Sequence, residues 1–315
     1  MDKKPAPVCF FTYKRLSETK LAIDALKNNY LSEKTDIYIY SDGPKYEVDS
    51  SKVDSIREYL KTITGFKSVT INNSETNLGL AGSIINGVSD VLMKYERVIV
   101  LEDDLITSPN FLNFMNQALD RYKNQDNIQT VCGFSVAIDH YSDDVYFQRR
   151  PFSWGWATWK DYWNTSIFDK KEIKEQLQNN ISLIDGFKHF CGDNLGKMLL
   201  GSLDNKNDSW FVRWAFNQFL EKRYSVIPSK SLIRNIGFGI DGTHCKGINP
   251  YTSFYADPEQ TNFNLIPFSE PDENLTKDFL HYFTLRHKVA LRLKLLKHKE
   301  GRDLVFDEIR QKLNL

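Results

Sequence analysis

The chain has 315 residues, 41% of them apolar, and its 41 Lys and Arg are balanced by 41 Asp and Glu. That length allows one large α/β domain or two smaller ones, and the composition excludes a disordered chain. The balance of charge excludes a bulk bias toward nucleic acid, and no apolar run approaches the roughly 18 residues of a helical membrane span.

The apolar run at 8–11 is too short for a signal peptide. Cys9, Cys132, Cys191 and Cys245 are far apart and form no Cys-x-x-Cys pair. Such spacing argues against a zinc or redox motif and for reduced thiols in a cytosolic protein.

Strand and helix patterns alternate through the first half. Residues 7–12 read as a buried strand, and 16–28 as a helix with Leu21, Ala25 and Asn28 at helical spacing and Ser17 as N-cap. A strand at 36–40 is broken by the turn residues Ser41-Asp42-Gly43-Pro44. A helix at 53–62, a strand at 68–71 and a helix at 82–94 follow. The strand at 97–101 is apolar without alternation, as expected for the middle of a sheet covered on both faces. This alternation predicts a mainly parallel sheet flanked by helices, with ligands at the carboxyl ends of its strands. The rule sets Thr12–Arg15, Asp42–Gly43, Asn77–Gly82 and Glu102–Asp104 along one rim. The second half holds all six tryptophans, Trp154, Trp156, Trp159, Trp163, Trp210 and Trp214.

Glu102-Asp103-Asp104 directly follows the most strand-like segment. Adjacent acids at the end of a buried strand repel one another, and a divalent cation removes that penalty. Hard carboxylate oxygens suit Mg2+ or Mn2+, ions that also bind phosphate. An acidic triplet is otherwise a solvated turn or a helix cap.

A strand followed by Glu-Asp-Asp resembles the acidic metal motif of GT-A glycosyltransferases, in the form found in the N-acetylglucosaminyltransferase I group and its bacterial relatives. Other segments fall in the same order: Thr12-Tyr13-Lys14-Arg15, Ser41-Asp42-Gly43, Asn77-Leu78-Gly79-Leu80-Ala81-Gly82, Trp154-Gly155-Trp156, Asn207-Asp208-Ser209-Trp210 and Gly237 to His244. The resemblance covers about residues 7–250; 169–207 and the chain after 250 match nothing in it. It implies a GT-A-like, Rossmann-like α/β fold over 1–265, with a nucleotide-binding half at 1–105 and an acceptor half at 106–265. A helical extension at 266–315 completes the expected organisation.

The resemblance also implies roles. Asp104 would be the direct metal ligand, and Glu102 and Asp103 would hold metal-bound water, ribose or sugar hydroxyls. His244 would complete the metal shell or touch the diphosphate. Thr12, Asn77 and Gly82 would border the nucleotide. Arg15 would pair with a phosphate through its planar fork, and Asp42 would accept from the base imide. Trp154, Gly155 and Trp156 would line the donor sugar, since aromatic faces suit the apolar faces of sugars. Asp208 would be the general base of an inverting transfer, with Asp193 as the alternative. The ordinary readings of these residues are a solvated Arg, a turn-forming Asp, core aromatics, a structural His and a helix-capping Asp208.

The segment 281–299 carries Arg286, Lys288, Arg292, Lys294, Lys297 and Lys299 and no acid, with Leu285, Val289, Leu293 and Leu296 at helical spacing. A peripheral contact with an anionic membrane surface and a solvated docking helix both fit that pattern. The reading is an inverting transferase of a nucleotide-diphosphate sugar, UDP-N-acetylglucosamine first, onto a glycan or lipid-linked acceptor, with no nucleic-acid partner. Its cofactor would be Mn2+ or Mg2+, and its place the cytoplasm or the inner face of the cytoplasmic membrane. The rivals are a sugar-phosphate nucleotidylyltransferase, which the missing Gly in Phe11-Thr12-Tyr13-Lys14-Arg15 disfavours, and a non-catalytic carbohydrate-binding protein.

Overall fold

The computed structural model of the protein describes residues 4–139, 141–238 and 248–313. In chain order its elements are β1 (Val8–Thr12), α1 (Leu16–Lys27), β2 (Asp36–Ser41), α2 (Ser50–Leu60), β3 (Ser68–Asn73), α3 (Gly79–Leu92), β4 (Arg97–Glu102), β5 (Leu105–Thr107) and α4 (Phe111–Tyr122). Next come β6 (Ile128–Cys132), β7 (Val145–Gln148), β8 (Trp156–Trp159), α5 (Lys170–Asn179), α6 (Ser182–Cys191), α7 (Asp193–Leu203) and α8 (Trp210–Leu220). β9 (Tyr224–Pro228), β10 (Ile233–Asn235), α9 (Glu273–His281), α10 (Leu285–Leu295) and α11 (Lys299–Leu313) complete the described chain.

Side chains alternate across a strand, so a strand buried on both faces must be apolar at every position. β1 meets that condition over 8–11 and β4 over 98–101. Val8, Phe10, Ile99 and Leu101 join the core under α1, α2 and α4. Cys9, Phe11, Val98 and Val100 join the core under α3 and α8. The result is an eight-stranded sheet in the order β3-β2-β1-β4-β8-β6-β9-β7. β3, β2, β1 and β4 run parallel, β8 runs antiparallel to β4 and to β6, and β7 runs antiparallel to β9. β5 and β10 form a separate antiparallel pair. The mostly parallel α/β sheet flanked by helices that the sequence predicts is the one found, with helices closing the described residues.

Three expectations about helix starts need correction: α2, expected from 53, begins at Ser50. α1 begins after Arg15, and Ser17 does not cap it: the Ser17 hydroxyl donates to Glu18 Oε2 at 2.7 Å. Its buried face is Thr19, Ala22, Ile23 and Leu26, while Leu21 is exposed. α3 begins at Gly79, three residues before the expected 82, because a carboxylate from β2 captures its first amides, as described below. Cys9, Cys132 and Cys191 are free, buried thiols; Cys245 lies outside the described residues.

α9 is bound into the main core rather than laid on it. Phe279 is fully buried, with ring contacts to Tyr146, Phe152 and Phe283. Truncating a buried aromatic costs about 3–5 kcal/mol, so Phe279→Ala should lower unfolding free energy by that amount in a urea titration. A change below about 1 kcal/mol would mean that α9 is separable from the body.

Candidate functional site

Strand register brings the rim residues to one level. Thr12 pairs with Ser41 and Phe11 with Glu102 across parallel strands, so β1, β2 and β4 end side by side. A cleft opens at these ends, and Thr12, Arg15, Asp42, Asn77, Glu102 and Asp103 all line it. Sequence reasoning had named each of them.

The first wall is the turn from β1 into α1. Thr12 Oγ1 bonds Thr19 Oγ1 at 2.8 Å and donates to Asp103 Oδ2 at 3.3 Å. Thr19 donates from its hydroxyl to the Arg15 carbonyl at 2.7 Å, which fixes the Arg15 backbone at the helix start. From there the Arg15 guanidinium reaches Asp103 Oδ1 through Nη2, and Asp104 Oδ2 at 3.1 Å.

The second wall joins β2 to α3. Asp42 Oδ1 accepts from the amides of Gly43 (2.9 Å) and Leu78 (2.8 Å). Its Oδ2 accepts from Asn77 Nδ2 and the Gly79 amide, both at 3.0 Å. A carboxylate has about four acceptor positions, and here the protein fills them all. Asp42 is therefore the long-range cap of α3, and the expected bond from its carboxylate to a base imide finds no free lone pair in this conformation. Asn77 is its clamp, donating also to the Gly43 carbonyl at 2.8 Å. Gly43 is required at this joint, since a Cβ there would stand 2.5 Å from the Thr76 carbonyl carbon.

Glu102 and Asp103 form the floor, and Asp104, the expected metal ligand, lies next to them outside the cleft lining. Burial, with Asp104 and Asp103 alongside, pushes the Glu102 carboxyl up to about 8. Burial raises Asp103 to about 6 against the pull of Arg15. The carboxylates in turn push the Arg15 guanidinium further above its ordinary range, against burial that acts the other way. Asp104 sits beneath the strand that leaves β10. Its carbonyl accepts from the Ile236 amide at 2.9 Å, and a Cβ on Gly237 would fall 2.1 Å from its Oδ2.

Among the described residues, no group of His, Cys, Asp and Glu converges as a ready-made metal cage. The donor set nevertheless fits Mg2+ or Mn2+, which keep several waters and take one or two carboxylates plus substrate phosphates. Hard oxygens are crowded at a buried strand end, and the cation lying on them is the Arg15 side chain, standing where a metal would compete. His244, the other expected ligand, lies outside the described residues.

The remaining expected residues fall elsewhere. Gly82 turns toward its own helix, where a Cβ would meet Leu78 Cβ at 3.3 Å. Trp156 is a core residue, stacked on Trp210 at 5.1 Å, and does not line the cleft. Gly155 has φ +62°, and a Cβ there would stand 2.8 Å from Ile233 Cδ1, so it serves the β8 entry rather than a ligand. Trp154 is half-buried against Phe134, Phe238 and Tyr251. Asp208 is also outside the cleft lining. Its carboxylate is 64% exposed and pairs with Arg213 at 3.0 Å and Lys170 at 3.3 Å. Ser209, not Asp208, caps α8. Asp193 is exposed at the start of α7.

Sequence reasoning set Tyr13 and Lys14 on the rim without giving either a role, and missed Lys45 as a lining residue and Asp49 as the anchor of Tyr13 and Lys14. Asp49 accepts from the Tyr13 hydroxyl and from Lys14 Nζ, both at 2.8 Å, and so holds that wall upright. Its position just before α2 resembles an ordinary capping Asp, which hid it. Tyr13 and Lys14 adjoin Arg15 and were within reach of the same signal.

Two outcomes follow from the charges. Arg15→Gln removes the resident cation, so free-Mn2+ titration followed by electron paramagnetic resonance should show Mn2+ binding tightened about tenfold without nucleotide. Weaker binding would mean that Arg15 supports the cation rather than competing with it. Glu102 and Asp103 are raised, so the folded state keeps protons that the unfolded chain has released. Their contribution to metal-free stability is largest below the ordinary carboxylate range and is lost as pH rises through about 6 and then about 8. Glu102→Gln should abolish the upper part of that slope in thermal melts; an unchanged slope would contradict the assignment.

No family model matches the chain, and no curated protein matches it in sequence. Among solved structures it is similar to the mannosyltransferase PcManGT from Pyrobaculum calidifontis, determined with GDP-Man and Mn2+, at 12% identity and TM-score 0.37, over 51% of this chain and 46% of that one. It is also similar to S. aureus TarS at 10% identity and TM-score 0.41, over 73% of this chain and 36% of that one. The chain thus spans less than half the length of either structure. Likeness at these identities and scores transfers neither activity nor residue roles.

Proposed function

We propose that the chain is a metal-dependent glycosyltransferase that moves a sugar from a nucleoside-diphosphate sugar to a hydroxyl of a glycan or lipid-linked acceptor. The observation that carries this reading is the meeting of Glu102, Asp103, Asp104 and Arg15 at the ends of β1 and β4, in a cleft lined by Tyr13 and Leu80. A diphosphate needs positive charge beside it and a nucleoside needs a flat apolar wall, and the cleft supports both.

The roles follow from the contacts. Tyr13, held by Asp49, would stack on the base, and Lys14 and Lys45 would border the nucleoside. Asp42 and Asn77 would act indirectly, by fixing the start of α3 against the turn after β2. Asp104 and Glu102 would hold Mg2+ or Mn2+, which would supply Lewis-acid stabilisation of the leaving diphosphate. Arg15 would leave the carboxylates for a phosphate oxygen, exchanging one anionic partner for another, and its planar fork could then engage the phosphate through two nitrogens. Inversion at C1, a UDP-linked N-acetylglucosamine donor and Asp208 as general base rest on the resemblance of the motifs. The exposed, doubly paired Asp208 would have to meet an acceptor that enters from outside the cleft.

A thermal-shift screen of UDP, GDP, CMP and dTDP, each with and without Mn2+, tests the reading. Ligand that binds only the native state raises its stability by mass action, about 2.7 kcal/mol at a hundredfold excess over Kd. One nucleotide should give a Mn2+-dependent shift that Asp104→Ala removes. A shift that is independent of Mn2+ and survives Asp104→Ala would contradict the metal role of the triplet.

A further inference from the structure

α10 lies against α11 with one face and leaves the other bare. On the covered side Arg292 Nε donates to the buried Glu308 at 2.7 Å. On the bare side Leu285, Val289 and Leu293 are 77%, 47% and 60% exposed, and no residue of α10 is buried. These positions follow one another at i, i+4 and i+8, so they form a single stripe. Arg286 and Lys294 flank the stripe on the same exposed half, and Lys297 and Lys299 continue it beyond the helix end. No Asp or Glu occurs between 279 and 299. A solvated helix face has no need of an apolar stripe, and a homotypic interface would bring these cations against their own copies. An anionic lipid surface satisfies both, since leucine and valine enter the headgroup boundary while arginine and lysine meet phosphate. Among the described residues no helix is long and apolar enough to cross a membrane, so the contact would be peripheral.

The root of this helix is tied to the acidic site. His287 Nε2 lies 2.8 Å from the Pro250 carbonyl, and Tyr251 packs on Phe283 at 5.5 Å and on Trp154 at 5.4 Å. Trp154 packs on Phe238 at 5.6 Å, and the neighbouring Gly237 lies on Asp104. A body resting on α10 would therefore hold this lip of the site at a fixed relation to the surface.

We propose that the bare face of α10 docks on an anionic lipid bilayer and presents the site to an acceptor carried there; the acceptor part rests on the transferase reading, the docking part does not. The experiment is cosedimentation of the full chain with vesicles of phosphatidylcholine alone or mixed with phosphatidylglycerol, at low and high salt. Binding should require phosphatidylglycerol, disappear at high salt and fall about fivefold for each of Lys294→Gln and Lys297→Gln. Leu293→Ser should weaken it as well, and all three variants should keep the wild-type melting temperature because the side chains are exposed. Equal binding to neutral vesicles, no binding at low salt, or indifference to the lysine changes would overturn the proposal. A dimer in analytical ultracentrifugation that Leu293→Ser dissociates would also overturn it, by assigning the stripe to a second copy. The nucleotide and Mn2+ shift is measured without vesicles, so docking and transferase readings fail separately.

Discussion

Glu102, Asp103 and Asp104 are held together at the end of a buried strand, and their mutual repulsion is met in the chain by the Arg15 side chain. Burial makes the arrangement costly for the acids, which is why the Glu102 carboxyl is raised to about 8 and that of Asp103 to about 6. Other features of the cleft bear on it. Thr12 donates to Asp103, Thr19 fixes the Arg15 backbone, and Gly237 gives Asp104 the room that any side chain would take. In the proposed transferase, Arg15 is the cation that a divalent metal would displace from these carboxylates.

Hydrogen bonds within the chain fix the surrounding walls. Asp42 spends its acceptors on α3, and Asp49 spends its own on Tyr13 and Lys14. These carboxylates do structural work at the rim. Asp42 and Asp49 thus hold the cleft in shape, whereas the cation beside Asp103 and Asp104 is the Arg15 side chain.

Much of the fold was legible because its signals are local. The non-alternating run at 98–101 could only be a strand covered on both faces, and the acids after it had to stand at the carboxyl edge of the sheet. The register of β1 with β2 and β4 then brought Thr12, Asp42, Asn77 and Glu102 together as expected. What escaped the sequence was long-range. The start of α3 is set by a carboxylate from β2, so the local pattern placed it at 82 instead of Gly79. The tryptophans read as a sugar platform because composition cannot tell a lining aromatic from a core aromatic. Trp156 stacks on Trp210 and meets Trp214 at a tilt inside the protein. Asp208 sits one residue before the α8 cap, but its Arg213 and Lys170 partners were not visible in the sequence.

In the proposed transferase a divalent cation would displace Arg15 at the acidic triplet when a nucleoside diphosphate binds. The most direct test is the anomalous signal of Mn2+ in crystals grown with the nucleotide selected by thermal shift. The account predicts a peak bonded to carboxylate oxygen of Asp104 or Glu102, bridged to the diphosphate, with the Arg15 guanidinium moved from Asp104 to a phosphate oxygen. Nucleotide bound in the cleft with Arg15 still on Asp103 and Asp104, and no Mn2+ peak at the triplet, would contradict it.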